Sequence, residues 1–213
     1  MQRQILPWFL AALLLLAAAF YGLTRTMTPL IGYILALALY WLILTALILR
    51  FKDSRSFTSL LHSRPAPLIL HIGLMLLLLA LATVSIPMVL AAPPSAALIS
   101  VAIIAALING TLEETFWRGV ALPPGPVRAP DFAANLILFT LWHVTTLFAT
   151  GIIRPGADSL SSHATSMLTG AFVLGLIALG LRHWSSGAGL AARLHVGVNL
   201  LAFTALAATN PLP

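Results

Sequence analysis

Seven times along this 213-residue chain, a run of apolar residues reaches the length needed to cross a bilayer as helix. A hydrocarbon core of about 30 Å asks for about 20 such residues. The runs cover 5–23, 29–49, 68–90, 95–120, 132–151, 164–181 and 189–208. In lipid, a helix satisfies its backbone N–H and C=O groups internally, so runs of this kind fold as helices and then pack together. The expected fold is all-α: a polytopic transmembrane helix bundle of about seven helices, forming a single integral-membrane domain over residues 1–213. Charge content agrees, at 8% against the roughly 25% of soluble domains. The net charge of +6 is spread between the apolar runs and forms no basic helix face, so the expected surroundings are a lipid bilayer and no nucleic acid. The absence of cysteine excludes disulfides, cysteine-ligated zinc and thiol nucleophiles.

The positive residues give an orientation. The connector 50–67 holds Arg50, Lys52, Arg55 and Arg64, and the positive-inside bias places it in the cytoplasm. Counting spans outward puts the N-terminus with Arg3 inside, together with the loops near Arg128 and Arg182, and leaves Arg25 and Arg154 outside. Arg3 ahead of an apolar run ending in Ala17-Ala18-Ala19 has the layout of a signal peptide. The length of that run, with Trp8 and Tyr21 as interface anchors, favours a retained helix. Two proline-rich stretches, 87–94 and 123–130, are expected to end helices, and Asp131 to cap one beginning at Phe132. Asp158 is expected in a loop.

Inside this apolar frame sit three polar clusters. The first contains both glutamates of the chain, Glu113-Glu114, followed by Arg118. A carboxylate in hydrocarbon costs about 2.5–3.5 kcal/mol on insertion scales, which makes an intramembrane acid a candidate for function. Neighbouring helical residues point about 100° apart, so the two acids have different surroundings. Glu114 and Arg118 stack at i,i+4 as an ion pair. Glu113 shares its face with Asn109 and Trp117, and a carboxylate kept from water there suits a general base. The second cluster carries Phe139, Trp142 and His143; the third carries His195 and Asn199, again i,i+4, with Gly197 between them to admit a neighbouring backbone.

At about 1.5 Å per residue, Glu113 lies about 10 Å, His195 about 9 Å and His143 about 16 Å from the cytoplasmic ends of their helices. All three fall in the inner half of the bilayer, where they can converge. His62, His71, His163 and His183 fall in the connector or near helix ends, have no acid at helical spacing, and are expected to play no catalytic part.

These residues resemble a family of intramembrane proteases that includes the type II CAAX prenyl endopeptidases and bacteriocin-processing or immunity proteins. Its pattern is EExxxR, then FxxxH, then HxxxN or HxxxD on separate membrane helices. Glu113, Glu114 and Arg118 match the first, Phe139 and His143 the second, His195 and Asn199 the third. The likeness covers residues 95–208 as a catalytic core, preceded by three membrane helices that read only as apolar filler.

The resemblance implies peptide-bond hydrolysis in a membrane-anchored protein or peptide substrate. Glu113 would activate water with help from His143, His195 and Asn199 would donate to the oxyanion, and Glu114 with Arg118 and Phe139 would support the site. No cofactor is favoured. A zinc-dependent version of the same protease would use Glu113, His143 and His195 as ligands, but HExxH is absent and a His–Asn pair suits hydrogen bonding. A non-proteolytic immunity or regulatory membrane protein is the alternative of a different class. The Arg-rich, Lys-poor composition points to a bacterial inner membrane; substrate identity and oligomeric state are not written in these residues.

Overall fold

The computed structural model describes residues 2, 4–154 and 159–211, so Arg3 and Asp158 lie outside the described residues. The helices are α1 (Ile5–Thr26), α2 (Pro29–Phe51), a short α3 (Phe57–Leu61), α4 (Leu68–Ala91), α5 (Ala96–Glu114), α6 (Ala129–Trp142), α7 (Leu160–Ser185) and α8 (Gly189–Thr209). A π-helical turn, Thr115–Val120, continues α5, and a 3-10 turn, His143–Phe148, continues α6. Seven of these units are long and apolar enough to span a membrane. The chain is an all-α membrane bundle, as its apolar runs require.

Local chemistry sets the boundaries. Ser95 caps α5 by accepting from Leu98 N–H, and Ser159 forms a capping box with Ser162 at the start of α7. Pro29 opens α2 in the first turn, where its missing N–H is no loss. Pro130 does the same for α6, which corrects the expected start: the helix begins at Ala129 rather than Phe132. Asp131 sits inside the first turn, accepts from Arg128 Nε at 2.9 Å, and meets the positive end of the helix dipole. The expected run 68–90 matches α4, which ends at Ala91 within the proline-rich stretch 87–94 and includes Pro87. One proline near the end of a membrane helix frees a single carbonyl, which is tolerated, and the helix stops only ahead of Pro93-Pro94.

The most extensive contact in the bundle is between α5 and α8. It is made possible by Gly110, where a Cβ would lie 2.6 Å from Val196 N. Close backbone approach therefore occurs at Gly110 rather than at Gly197, whose neighbour is the Leu78 side chain of α4. Helix α4 packs on α8 and buries no residue of its own, which leaves it at the periphery. Helices α1 and α2 pair through Gly32, against the backbone of Leu23 and Thr24.

Loops assort onto two ends. At one end Gln2 N–H donates to Ala121 O, Arg64 N–H to Ser185 O, Ala188 N–H to Leu60 O, and Leu190 N–H to Ser63 Oγ. At the other, Thr150 N–H donates to Thr24 Oγ1 and Ile153 N–H to Asn210 Oδ1. Arg50, Lys52, Arg55, Arg64 and Arg128 belong to the first end, Arg25 and Arg154 to the second. This is the alternation that consecutive spans demand.

The first end also terminates α5. Its π-helical turn is closed by Ala121 N–H donating to Phe116 O at 2.7 Å, five residues back. The last carbonyls of a helix have no partner within it, and here four different parts of the chain supply donors. Asn135 reaches Trp117 O, Arg182 reaches Arg118 O, Arg55 reaches Gly119 O, and Gln2 reaches Val120 O. Arg182 is thus a buried clamp in the last turn of α7 rather than a loop residue, and it also holds Pro123 O and Gly125 O.

Packing at Gly110 has a measurable consequence. Gly110→Leu forces α5 away from α8 and is expected to cost about 1–3 kcal/mol or more, read as a lower melting temperature in detergent. Gly170→Ala on α7, where a Cβ meets nothing within 4 Å, should hold or raise stability, by up to about 1 kcal/mol. Equal behaviour of the two variants would contradict this packing.

Candidate active site

Helix α5 brings Glu113 and Glu114 into the middle of the bundle, where they, Arg118 and His195 are each no more than 1% exposed. Adjacent on one helix, the two carboxylates enter separate networks. Glu114 engages one cation and one hydrogen-bond donor. Its Oε2 lies 3.1 Å from Arg118 Nε, and its Oε1 accepts from His195 Nδ1 at 2.8 Å. A carboxylate only accepts, so Nδ1 of His195 carries a proton, and α8 is bound to α5 through that hydrogen. Arg118 extends the network: Nη2 donates to Gly175 O on α7 at 3.2 Å, and its guanidinium stacks 4.1 Å from the centre of the Phe139 ring on α6. Gly175 lies against Phe139 and Leu136, too close to admit a Cβ without their moving.

Glu113 is held differently. Its Oε1 accepts from Tyr40 OH on α2 at 2.5 Å and from Asn109 Nδ2, one turn back on α5, at 2.6 Å. Its Oε2 is buried and takes no hydrogen bond; His143 Nε2 stands 3.7 Å from it. The α6 helix gives way to a 3-10 turn at His143, whose Nδ1 is bonded to Phe139 O at 2.9 Å. Since a carbonyl only accepts, Nδ1 holds a proton; when the ring is neutral, Nε2 presents a lone pair towards Glu113. The Phe139 ring lies between the two histidines, 4.7 Å from the His143 ring and 6.0 Å from that of His195. Asn199, one turn beyond His195, has a buried Nδ2 without an acceptor.

The residues expected from sequence therefore meet in one place: Glu113 with His143, Glu114 with Arg118 and His195, and Phe139 between the histidines. Asn109 shares the Glu113 face as expected. Trp117 lies in an aromatic cluster with Phe9, Phe116, Phe139 and Trp142, and both tryptophans are fully buried. His71 and His163 fall in first turns and His183 in a last turn, away from this cluster.

The apolar-filler reading of the first three helices is corrected by α2. Tyr40 bonds Glu113, and Trp41 Nε1 donates to Asn109 Oδ1 at 3.0 Å. A signal for this was present: Trp and Tyr gather at membrane interfaces, where Trp8 and Tyr21 fall. Tyr40 and Trp41 stand mid-span, where an O–H or N–H needs a polar partner.

Two observations bear on a metal. Among the described residues, no three His, Cys, Asp or Glu side chains form a group able to hold an ion. In the set Glu113, His143 and His195, each histidine engages its Nδ1, with Phe139 O and with Glu114 respectively, which leaves Nε2 as the nitrogen a metal would use.

The profile of type II CAAX prenyl endopeptidase Rce1-like proteins matches residues 95–201, half of the chain. The chain belongs to this family. As an Rce1-like protein it is an integral membrane protein of a CAAX-type protease family. The matched segment contains Glu113, Glu114, Arg118, Phe139, His143, His195 and Asn199, whereas Tyr40 and Trp41 lie outside it. No curated protein and no solved structure matches the chain.

The Glu114 network predicts a stability defect. Arg118→Gln leaves a buried carboxylate short of its cation and should cost about 3–5 kcal/mol, measured by thermal denaturation in detergent. Arg118→Lys should recover only part, because a point charge does not reproduce a planar group that faces Glu114 through Nε, donates through Nη2 and stacks on Phe139. Full recovery with lysine would show that charge alone matters.

Proposed function

We propose that this Rce1-like protein is an intramembrane endopeptidase of the glutamic type, cutting a peptide bond near the C-terminal or membrane-embedded part of a membrane-anchored protein or peptide. The supporting observation is Glu113 Oε2, a buried carboxylate oxygen that takes no hydrogen bond and stands 3.7 Å from His143 Nε2; Asn199 Nδ2, one turn beyond His195, is a second buried atom without a partner. Buried polar groups are nearly always hydrogen-bonded, and exceptions call for an explanation. A water and a substrate carbonyl would supply the missing partners.

In this reading, water gives one hydrogen bond to Glu113 Oε2 and one to His143 Nε2. Its oxygen lone pair is left free to attack the carbonyl carbon. Glu113 takes the water proton as the C–O bond forms, then delivers it to the leaving amine as the C–N bond breaks. Asn199 Nδ2 donates to the oxyanion. His195, backed through Nδ1 by the Glu114 carboxylate, joins it when protonated at Nε2. The enclosure of the site keeps these donors strong, since little solvent competes. Glu114 and Arg118 do no proton transfer; they hold the helices in register. No step requires a metal.

Orientation follows the charge. We place the end bearing Arg50, Lys52, Arg55, Arg64 and Arg128 in the cytoplasm of a bacterium, with the N-terminus on the same side. Glu113 then lies about 10 Å into the bilayer from that face, within reach of a cytoplasmic C-terminal tail.

The test compares membranes of cells expressing wild-type protein with membranes holding equal amounts of Glu113→Gln, by mass spectrometry of C-terminal peptides. Precursor C-termini should persist in the variant and disappear with wild type. Asn199→Leu should slow the same processing by about 10²–10³-fold, and a tight zinc chelator should leave it unchanged. Identical C-termini in both membranes would remove the protease reading and favour a regulatory membrane protein. Loss of processing with chelator, restored by zinc, would overturn the metal-free mechanism.

A further inference from the structure

The family match begins at residue 95, yet the shortest hydrogen bond to Glu113 comes from α2. Three side chains act in series on one carboxylate oxygen. Trp41 Nε1 donates to Asn109 Oδ1, which fixes the orientation of that amide. The amide then has to turn Nδ2 towards Glu113, where it donates to Oε1 at 2.6 Å. Tyr40 OH donates to the same oxygen at 2.5 Å. Two lone pairs are thereby filled at Oε1, while Oε2 keeps both of its own and faces His143 Nε2 at 3.7 Å. A carboxylate held by a single donor would rotate about its terminal torsion, which is soft and roughly two-fold. Held by two donors from two helices, it presents one defined oxygen.

We infer that Tyr40, with Asn109 and Trp41, forms a positioning relay that dedicates Glu113 Oε1 to the scaffold and Oε2 to water activation, which makes α2 part of the active site. The inference rests on the proposed role of Glu113 as the base. Burial supports it: Tyr40 is 3% exposed and Asn109 5%, so neither donor exchanges its bond for one to solvent. The Tyr40 ring is itself set by Trp142, 5.3 Å away on α6, directly before His143. The relay therefore touches both groups that would hold the water.

The composition of the chain makes the test selective. Glu113 and Glu114 are its only glutamates. Side-chain 13C-glutamate labelling of the purified full-length protein gives infrared carboxylate bands from these two alone, and Glu113→Gln identifies which band is which. Tyr40→Phe keeps the ring against Trp142 and removes only the hydroxyl. It should shift the Glu113 band, leave the Glu114 band in place, and slow precursor processing by about ten- to a hundredfold at equal protein level. Trp41→Phe should shift the same band by a smaller amount.

A Tyr40→Phe protein with an unmoved Glu113 band, or with a moved band and wild-type processing, overturns the relay. Processing that survives Glu113→Gln instead removes the base itself, and the relay falls with it. Processing lost in Glu113→Gln but normal in Tyr40→Phe removes the relay alone.

Discussion

The bundle is organised around a charge that lipid does not tolerate. Glu114 closes α5 just ahead of its π-helical turn, with no access to water, and its environment compensates. Arg118 supplies the counter-charge from one turn on, His195 supplies a hydrogen bond from α8, and Arg118 in turn grips the Gly175 carbonyl of α7 and the Phe139 ring of α6. Four helices meet on a single ion pair. Apolar faces alone leave helix orientation in a bilayer weakly specified, because lipid tails are as apolar as leucine. A buried ion pair with directional partners specifies depth and rotation together, since slippage of any one helix leaves a charge unpaired.

That knot frees the neighbouring residue for chemistry. Glu113 is fixed by neutral donors at one oxygen and left unbonded at the other. The difference between two adjacent acids follows from helix geometry, since a step of about 100° turns one towards α8 and the other towards α2. The π-helical turn that follows is anchored by Asn135, Arg182, Arg55 and Gln2, so the end of α5 is held by donors from four segments. Turns of this type recur at functional sites, where local widening of the helix is maintained by its surroundings.

Much of this was legible in the sequence. The spans followed from run length, the Glu114–Arg118 pair from i,i+4 spacing, and the convergence of Glu113, His143 and His195 from similar depth. What escaped were features of three-dimensional neighbourhood. Nothing in the run 29–51 pairs with Glu113 at helical spacing, because Tyr40 lies 73 residues from Glu113 along the chain. The mid-span position of Tyr40-Trp41 was the available clue. Gly110 gave no more sign than Gly197 of which one meets a backbone; that choice depends on how α5 and α8 cross. Asp131 is the other departure: read as a cap, it lies within the first turn of α6, because Pro130 lets the helix start at Ala129 and the positive end of the helix accommodates an acid there.

The central claim is a division of labour between two neighbouring glutamates, one architectural and one chemical. Parallel thermal melts of Glu113→Gln and Glu114→Gln in the same detergent address it most directly. The account predicts a large fall in melting temperature for Glu114→Gln, where a buried guanidinium loses its carboxylate, and a value near wild type for Glu113→Gln, where Tyr40 and Asn109 still find an amide oxygen. Equal falls, or a fall confined to Glu113→Gln, would contradict it.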